Sequence, residues 1–407
     1  MLSVDKIKPE DVGLSSERLA RVSVWMRAQV ERRKLAGLSV LVQRRGRIAF
    51  FDAAGMADAE RASPMRRDTI VRIYSMTKPI TSVAIMMLYE QGLFQLDDPI
   101  STYIPAFAQM RVLRPGASDV ADTMPAERGI TFRDLLSHTS GLTYGFLEDS
   151  PLAALYREKK IDFGRGEDTL AAHVEKAAAL PLVCQPGTGW NYSISTDVLG
   201  RLVEVLSGEP LDAFVEAHIF GPLGMTDTGF FVAQAKRDRF AACYGPSSTT
   251  GFRLLDDPTT SPFLKLKAGY SGGGGLCSTL DDYARFCQMM LNKGELEGRR
   301  LLGRKTVELM TSNHLGGDMA SMGMPRFSES SYYGIGFGLG FSVMLDPARA
   351  QIIGTPGEYA WGGLASTAFW IDPAEDMAVT MLTQLIPSST YPIRRELRAL
   401  TYAAVVD

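Results

Sequence analysis

Strand-like apolar runs sit at the two ends of this chain of 407 residues, and the long middle has few of them. Near the start, "GLSVLVQRRGRIAFFDAAG" holds two such runs around Arg45-Gly46, which predicts a β-hairpin. Near the end, "FGLGFSVML" alternates strictly, with Phe337, Leu339, Phe341, Val343 and Leu345 on one face. "WGGLASTAFWIDP" and "MAVTMLTQL" follow, separated by an acidic turn at Glu375-Asp376. From about residue 95 to 305 the pattern is mostly helical, with long Gly/Pro/Asp-rich connections; one of these, "RPGASDVADTMPAERG", reads as an exposed loop. Two strands from the start and three from the end predict one antiparallel sheet built from both ends. Flanking helices come from "LSSERLARVSVWMRAQVERRK" and "YPIRRELRALTYAAV". The expected class is therefore α/β, of the α+β type. Residues 1–94 and 306–407 form the sheet domain and 95–305 a mainly helical insertion, or second lobe. A cleft between lobes is a usual place for a ligand.

The stretch "YSMTKPITS" carries the first chemistry. Ser75 and Lys78 stand at i and i+3, a spacing that lets two helical side chains touch. Behind them Ile80, Val83, Ala84 and Met87 form an apolar stripe, and Gly92 suits a C-cap. Pro79 has no N–H for the carbonyl four residues back, which is tolerated in a first helical turn. The helix therefore begins close to Ser75. At such a position free amides can bind an anion, and the helix dipole disfavours a cation, which favours an uncharged lysine. A serine needs a nearby base before it attacks a carbonyl. An activity that rises on the alkaline side is the expected signature.

Composition narrows the alternatives. A formal charge of -3 gives no basic surface for nucleic acid. No run is long and apolar enough for a membrane span, and the charged N-terminus does not read as a signal peptide. Cys184, Cys243, Cys277 and Cys287 form no CxxC pair or metal-ligand spacing, so the chain is expected to be reduced and cytoplasmic, with no metal.

Two further segments complete a pattern. "GTGWNYSISTDVLG" supplies Tyr192, a phenol that could relay or share a proton with Lys78. "EYAWGGLASTAFW" puts Gly362 and Gly363 at the start of a predicted central strand, where glycine often marks close approach of a ligand or backbone. S-x-x-K opening a helix, then this tyrosine, then W-G-G, resembles the serine β-lactamase-like superfamily, specifically the class C-like family VIII carboxylesterases. "FRDLLSHTSGL" and "GGGLCSTLDDYARF" are similar to segments common in it, and the likeness runs from about residue 10 to 400. The resemblance implies a two-lobe fold and an acyl-enzyme mechanism with no organic or metal cofactor. It implies Ser75 as nucleophile, Lys78 with Tyr192 as the base system, and the backbone N–H groups of Ser75 and Leu364 as oxyanion hole. Trp361, with Gly362 and Gly363, would line the substrate pocket.

Departures from the lactamases bear on the substrate. Where those enzymes carry K-T-G, this chain has Trp361, an indole that cannot pair with a carboxylate. Where they often have Y-x-N, it has Tyr192-Ser193-Ile194. Each neutral partner lost to a buried substrate group costs about 1–3 kcal/mol. A small, uncharged, short-chain ester is thus the expected substrate, in a pocket walled by indole and not by a cation. Acyl transfer to an alcohol and weak β-lactam or D-amino-acid peptide hydrolysis are the alternatives. "GYSGG" matches the nucleophile elbow G-x-S-x-G but lacks the apolar strand before and the helix straight after, so Ser271 is read as a glycine-loop serine. His138 is expected to cap or pack, and Tyr144 and Tyr270 are candidates for lining the cleft.

Overall fold

In the computed structural model the described residues are 7–162, 168–323, 329 and 331–407. Eight strands form one antiparallel sheet: β1 Gly37–Arg44, β2 Arg47–Asp58, β3 Ser63–Pro64, β4 Ile335–Phe337, β5 Ser342–Met344, β6 Tyr359–Gly362, β7 Ala368–Asp372 and β8 Met377–Thr383, in the order β4-β5-β6-β7-β8-β1-β2-β3. The two ends of the chain meet at β1 and β8, with Val40 opposite Met381. Arg45 (φ 52°) and Gly46 (φ 71°) turn the first hairpin in the left-handed region that a two-residue hairpin turn requires.

Six helices bear on the argument: α1 Ser16–Glu31, α2 Thr77–Glu90, α3 Phe132–Leu136, α4 Ser195–Ser207, α5 Leu280–Leu291 and α6 Ile393–Tyr402. The Ser15 side chain accepts from the Arg18 amide and caps α1. Its stripe, Leu19, Val22 and Met26, packs with Leu38, Val40 and Val42 of β1 and with Ile393 and Leu397 of α6. Leu41 points the other way, into the core shared with α2, α4 and α5. All eight residues of β1 are buried, as a strand covered on both faces must be.

Three readings change. "FGLGFSVML" is a hairpin and not one strand: Gly338–Gly340 carries the turn, with Gly340 at φ 100°, and β4 pairs with β5 across it. Side-chain alternation survives a tight glycine turn, so the pattern alone could not separate the two. "WGGLASTAFWIDP" likewise divides into β6 and β7, and Gly362 ends β6 where a strand start was expected. The middle of the chain also holds short antiparallel pairs, Cys243–Ser247 with Gly251–Asp256 and Arg111–Leu113 with Thr123–Pro125. The second lies partly inside the expected loop and is seated by buried Val112, bridged to Leu182. No helix among the described residues is long and apolar enough to cross a membrane.

Candidate active site

Ser75 lies in a single 3-10 turn, Tyr74–Met76, and α2 begins at Thr77. Tyr74 has φ 42°, an uncommon conformation for a bulky residue and one that needs tight surroundings to persist. Those surroundings are the W-G-G turn after β6. A Cβ at Gly363 would stand 2.3 Å from the Ile73 carbonyl oxygen, so only glycine lets the turn approach the segment before Ser75 this closely. Among the described residues, neither the Ser75 nor the Leu364 amide donates to another group. Both residues line the same cleft.

Lys78 is 1% exposed. Its Nζ donates to the Gly273 carbonyl at 2.8 Å, to the Tyr144 hydroxyl at 2.9 Å and, over a longer 3.4 Å, to Ser75 Oγ. Tyr192 presents its ring face to the same nitrogen, 4.5 Å from the ring centre, and lines the cleft with Ser75. The expected trio of Ser75, Lys78 and Tyr192 is thus gathered in one place. Tyr144 departs from its expected role. It is fully buried behind Lys78 and forms no part of the cleft wall. Burial first, and the Asp197 charge second, push its hydroxyl well above the ordinary phenol range, so it stays a phenol. Tyr270 is also buried, stacked on Phe230.

Sequence reading missed what holds the lysine's carbonyl partner. Asp197 is on α4, completely buried. Its Oδ1 accepts from Ser271 Oγ at 2.5 Å and from the Gly273 amide at 3.3 Å. Thr81 of α2 donates to the Gly272 carbonyl at 2.8 Å. A Cβ at Gly273 would meet Asp197 Oδ2 at 2.6 Å and the Tyr144 hydroxyl at 2.9 Å, so glycine is what admits both. The visible signal was the S-G-G-G-G run. Ser271 is buried and bonded to a carboxylate, and residues 265–270 form no strand, so it has none of the setting of a nucleophile elbow. His138 ends the turn after α3 at φ 57°, with Nδ1 3.2 Å from Ser193 Oγ and its ring 4.9 Å from that of Tyr192. Burial above all holds its imidazole well below the usual range, hence neutral.

The open side of the cleft is mainly apolar. Trp361 packs at 5.5 Å on Tyr192 and 5.3 Å on Phe337, and Phe146, Ile335, Met344 and Ile352 continue the wall. The expectation of a wall without a cation is corrected here: Arg394 and Arg398, both on α6, also line it. They lie some thirty residues beyond W-G-G, out of reach of a local motif. Among the described residues no cluster of three or more His, Cys, Asp or Glu is arranged to hold a metal ion.

A buried amine on a serine at a 3-10 turn, facing a glycine turn with an unengaged amide, is an arrangement for acyl transfer. The Beta-lactamase family model matches residues 22–403. The chain belongs to the Beta-lactamase family. Within it, Protein Rv1367c of Mycobacterium tuberculosis is 37% identical over 87% of this chain and 86% of that protein. Esterase EstB of Burkholderia gladioli is 32% identical over 99% of this chain and all of EstB. Among solved structures, EstCE1, described as a hydrolase with promiscuous acyltransferase activity, superposes with a TM-score of 0.80 at 27% identity, covering 95% of this chain and 99% of its own.

Proposed function

We propose that this Beta-lactamase family member is a serine carboxylesterase that hydrolyses short-chain, uncharged carboxylic esters through an acyl-enzyme. The observation that carries the reading is the contact of buried Lys78 with Ser75 in a cleft walled by Trp361 and Tyr192. Ser75 Oγ attacks the ester carbonyl, and its proton passes to the Lys78–Tyr192 pair. The tetrahedral oxyanion is held by the amides of Ser75 and Leu364. The alkoxide leaves with a proton from the same pair, and water repeats the cycle on the acyl-enzyme. Residues 1–94 with 306–407 supply the sheet side of the site and 95–305 the helical side.

The resemblance to EstB, an esterase by name, supports hydrolysis of esters over lactams. So does the indole at 361, where lactamases bear a cation. EstCE1 gives a reason to test a second outcome, transfer of the acyl group to an alcohol. The four cysteines are unpaired, which fits a reducing cytoplasmic setting. The test is a panel of p-nitrophenyl esters of increasing acyl length, with nitrocefin alongside, on wild type and Ser75→Ala. Butyrate should be cleaved faster than nitrocefin, and only by wild type. Faster turnover of nitrocefin would reject the esterase reading.

A further inference from the structure

Two arginines one helical turn apart on α6 reach the cleft and do different things there. Arg398 is ion-paired, with Nη1 2.7 Å from Glu358 Oε2. Arg394 turns its guanidinium on the backbone of the W-G-G turn: Nη2 donates to the Gly363 carbonyl and to the Thr367 carbonyl, both at 2.9 Å. Its Nε is buried with no partner among the described residues. Glu329 fixes the helix end that carries it, accepting the Arg394 amide at 2.9 Å.

The peptide joining Gly363 to Leu364 has its C=O and N–H on opposite edges of one plane. Whatever holds the Gly363 oxygen therefore fixes the direction of the Leu364 hydrogen. Gly362 makes the hold possible: a Cβ there would stand 2.8 Å from both Arg394 Cζ and Nη2. We propose that Arg394 is a positioning residue for the oxyanion hole, anchoring the Gly363 carbonyl so that the Leu364 amide points into the cleft beside Ser75. This rests on the acyl-enzyme reading above. A donor held in advance stabilises the transition state with no reorganisation at the moment of reaction. A donor free to swing loses part of that advantage while leaving ground-state binding alone.

The test compares wild type, Arg394→Met, Arg394→Lys and Gly362→Ala. It measures kcat and KM for p-nitrophenyl butyrate, and the affinity of an uncharged alkylboronic acid that becomes tetrahedral on the serine. Thermal melts identify variants that fold. In Arg394→Met, kcat should fall roughly tenfold to a hundredfold, less than the loss from deleting a donor outright, with KM within about threefold. Boronate affinity should fall by the same factor as kcat. Gly362→Ala, whose Cβ meets the guanidinium and the Thr367 carbonyl oxygen alike at 2.8 Å, should repeat both losses; Arg394→Lys, which keeps the charge and one donor, should recover part of both and replaces Arg394→Met if that variant fails to fold. A folded variant with unchanged kcat and boronate affinity overturns the proposal, as does a loss confined to KM. A fluorophosphonate adduct on wild-type Ser75 separates the two levels. Without that adduct the acyl-enzyme reading falls and the proposal with it; with it, an indifferent Arg394→Met sinks the proposal alone.

Discussion

The two walls of the cleft are built on opposite plans. Behind Ser75 the wall is polar and sealed: Lys78, Tyr144, Asp197 and Ser271 are all buried and bonded to one another or to the Gly273 backbone. Facing it, the wall of Trp361, Ile335, Met344 and Ile352 is apolar and open, with polar groups from α6. Buried polar groups are tolerated when they have partners, as these do except at Asp197 Oδ2, which is buried without a hydrogen bond among the described residues, and such networks hold one geometry. Apolar walls tolerate exchange of shape and size. The contrast assigns proton handling to the sealed wall and substrate selection to the open one. It also sets which substitutions should strike kcat and which should strike preference.

The contrast breaks most simply at the nucleophile. Ser75→Ala should lower kcat by roughly 10⁴-fold or more with a near-native melt, measured as butyrate ester turnover. Comparable loss from Ser271→Ala, with Ser75→Ala active, would move the chemistry to the wrong serine. Next is Lys78→Met, which keeps length and removes the base. A fall of about 10²–10⁴-fold in kcat is expected, with loss of fluorophosphonate labelling at Ser75. If Lys78→Met labels at the wild-type rate, the sealed wall has no part in activating the serine.

How much of this could be read from residues alone follows the same division. The sealed wall's leading members, Ser75 and Lys78, lie three apart, and Pro79 fixes the helix start. That is local chemistry, and it was legible. The carbonyl partner of Lys78 was not, because Gly273 lies almost two hundred residues away, inside a glycine run that also resembles a different motif. Arg394 was invisible for a similar reason: nothing in "YPIRRELRAL" distinguishes an arginine on a backbone turn from an exposed one. The sheet was foreseen as strands from both ends of the chain. Its strand count was not: Gly340 turns a run whose alternation continues across it, the W-G-G segment divides at Gly363, and the two-residue β3 is too short to leave a pattern.

The open wall is probed by Trp361→Ala. Removing the indole from Tyr192 and Phe337 should change selection more than rate. The kcat/KM ratio of butyrate to acetate should fall by about tenfold, within the 1–3 kcal/mol typical of a missing apolar contact, and longer acyl chains should gain relative to wild type. A uniform fall in kcat across chain lengths would mean that the indole serves the chemistry, and the division of labour between the walls would fail.

The smallest effect expected concerns stability. His138 sits in the sealed wall as a neutral imidazole, held well below its ordinary range above all by burial. An unfolded histidine takes a proton near pH 6.5. Below that pH the unfolded chain binds a proton that the folded one resists, so folding stability falls as pH drops from 7.5 towards 5. His138→Asn removes the titration and suits the backbone, since asparagine adopts φ 57° more readily than most residues. The melting temperature of the variant should start slightly lower at pH 7.5, having lost ring contacts with Tyr192 and Trp190. It should then decline less steeply than wild type on acidification, by a few degrees over the range. His173 and His314, also pulled down by burial, remain in both proteins and bend both curves alike, so the difference between curves belongs to His138. Parallel curves would mean that the imidazole finds its proton without opening the wall, and the wall would then be less sealed than its contacts imply.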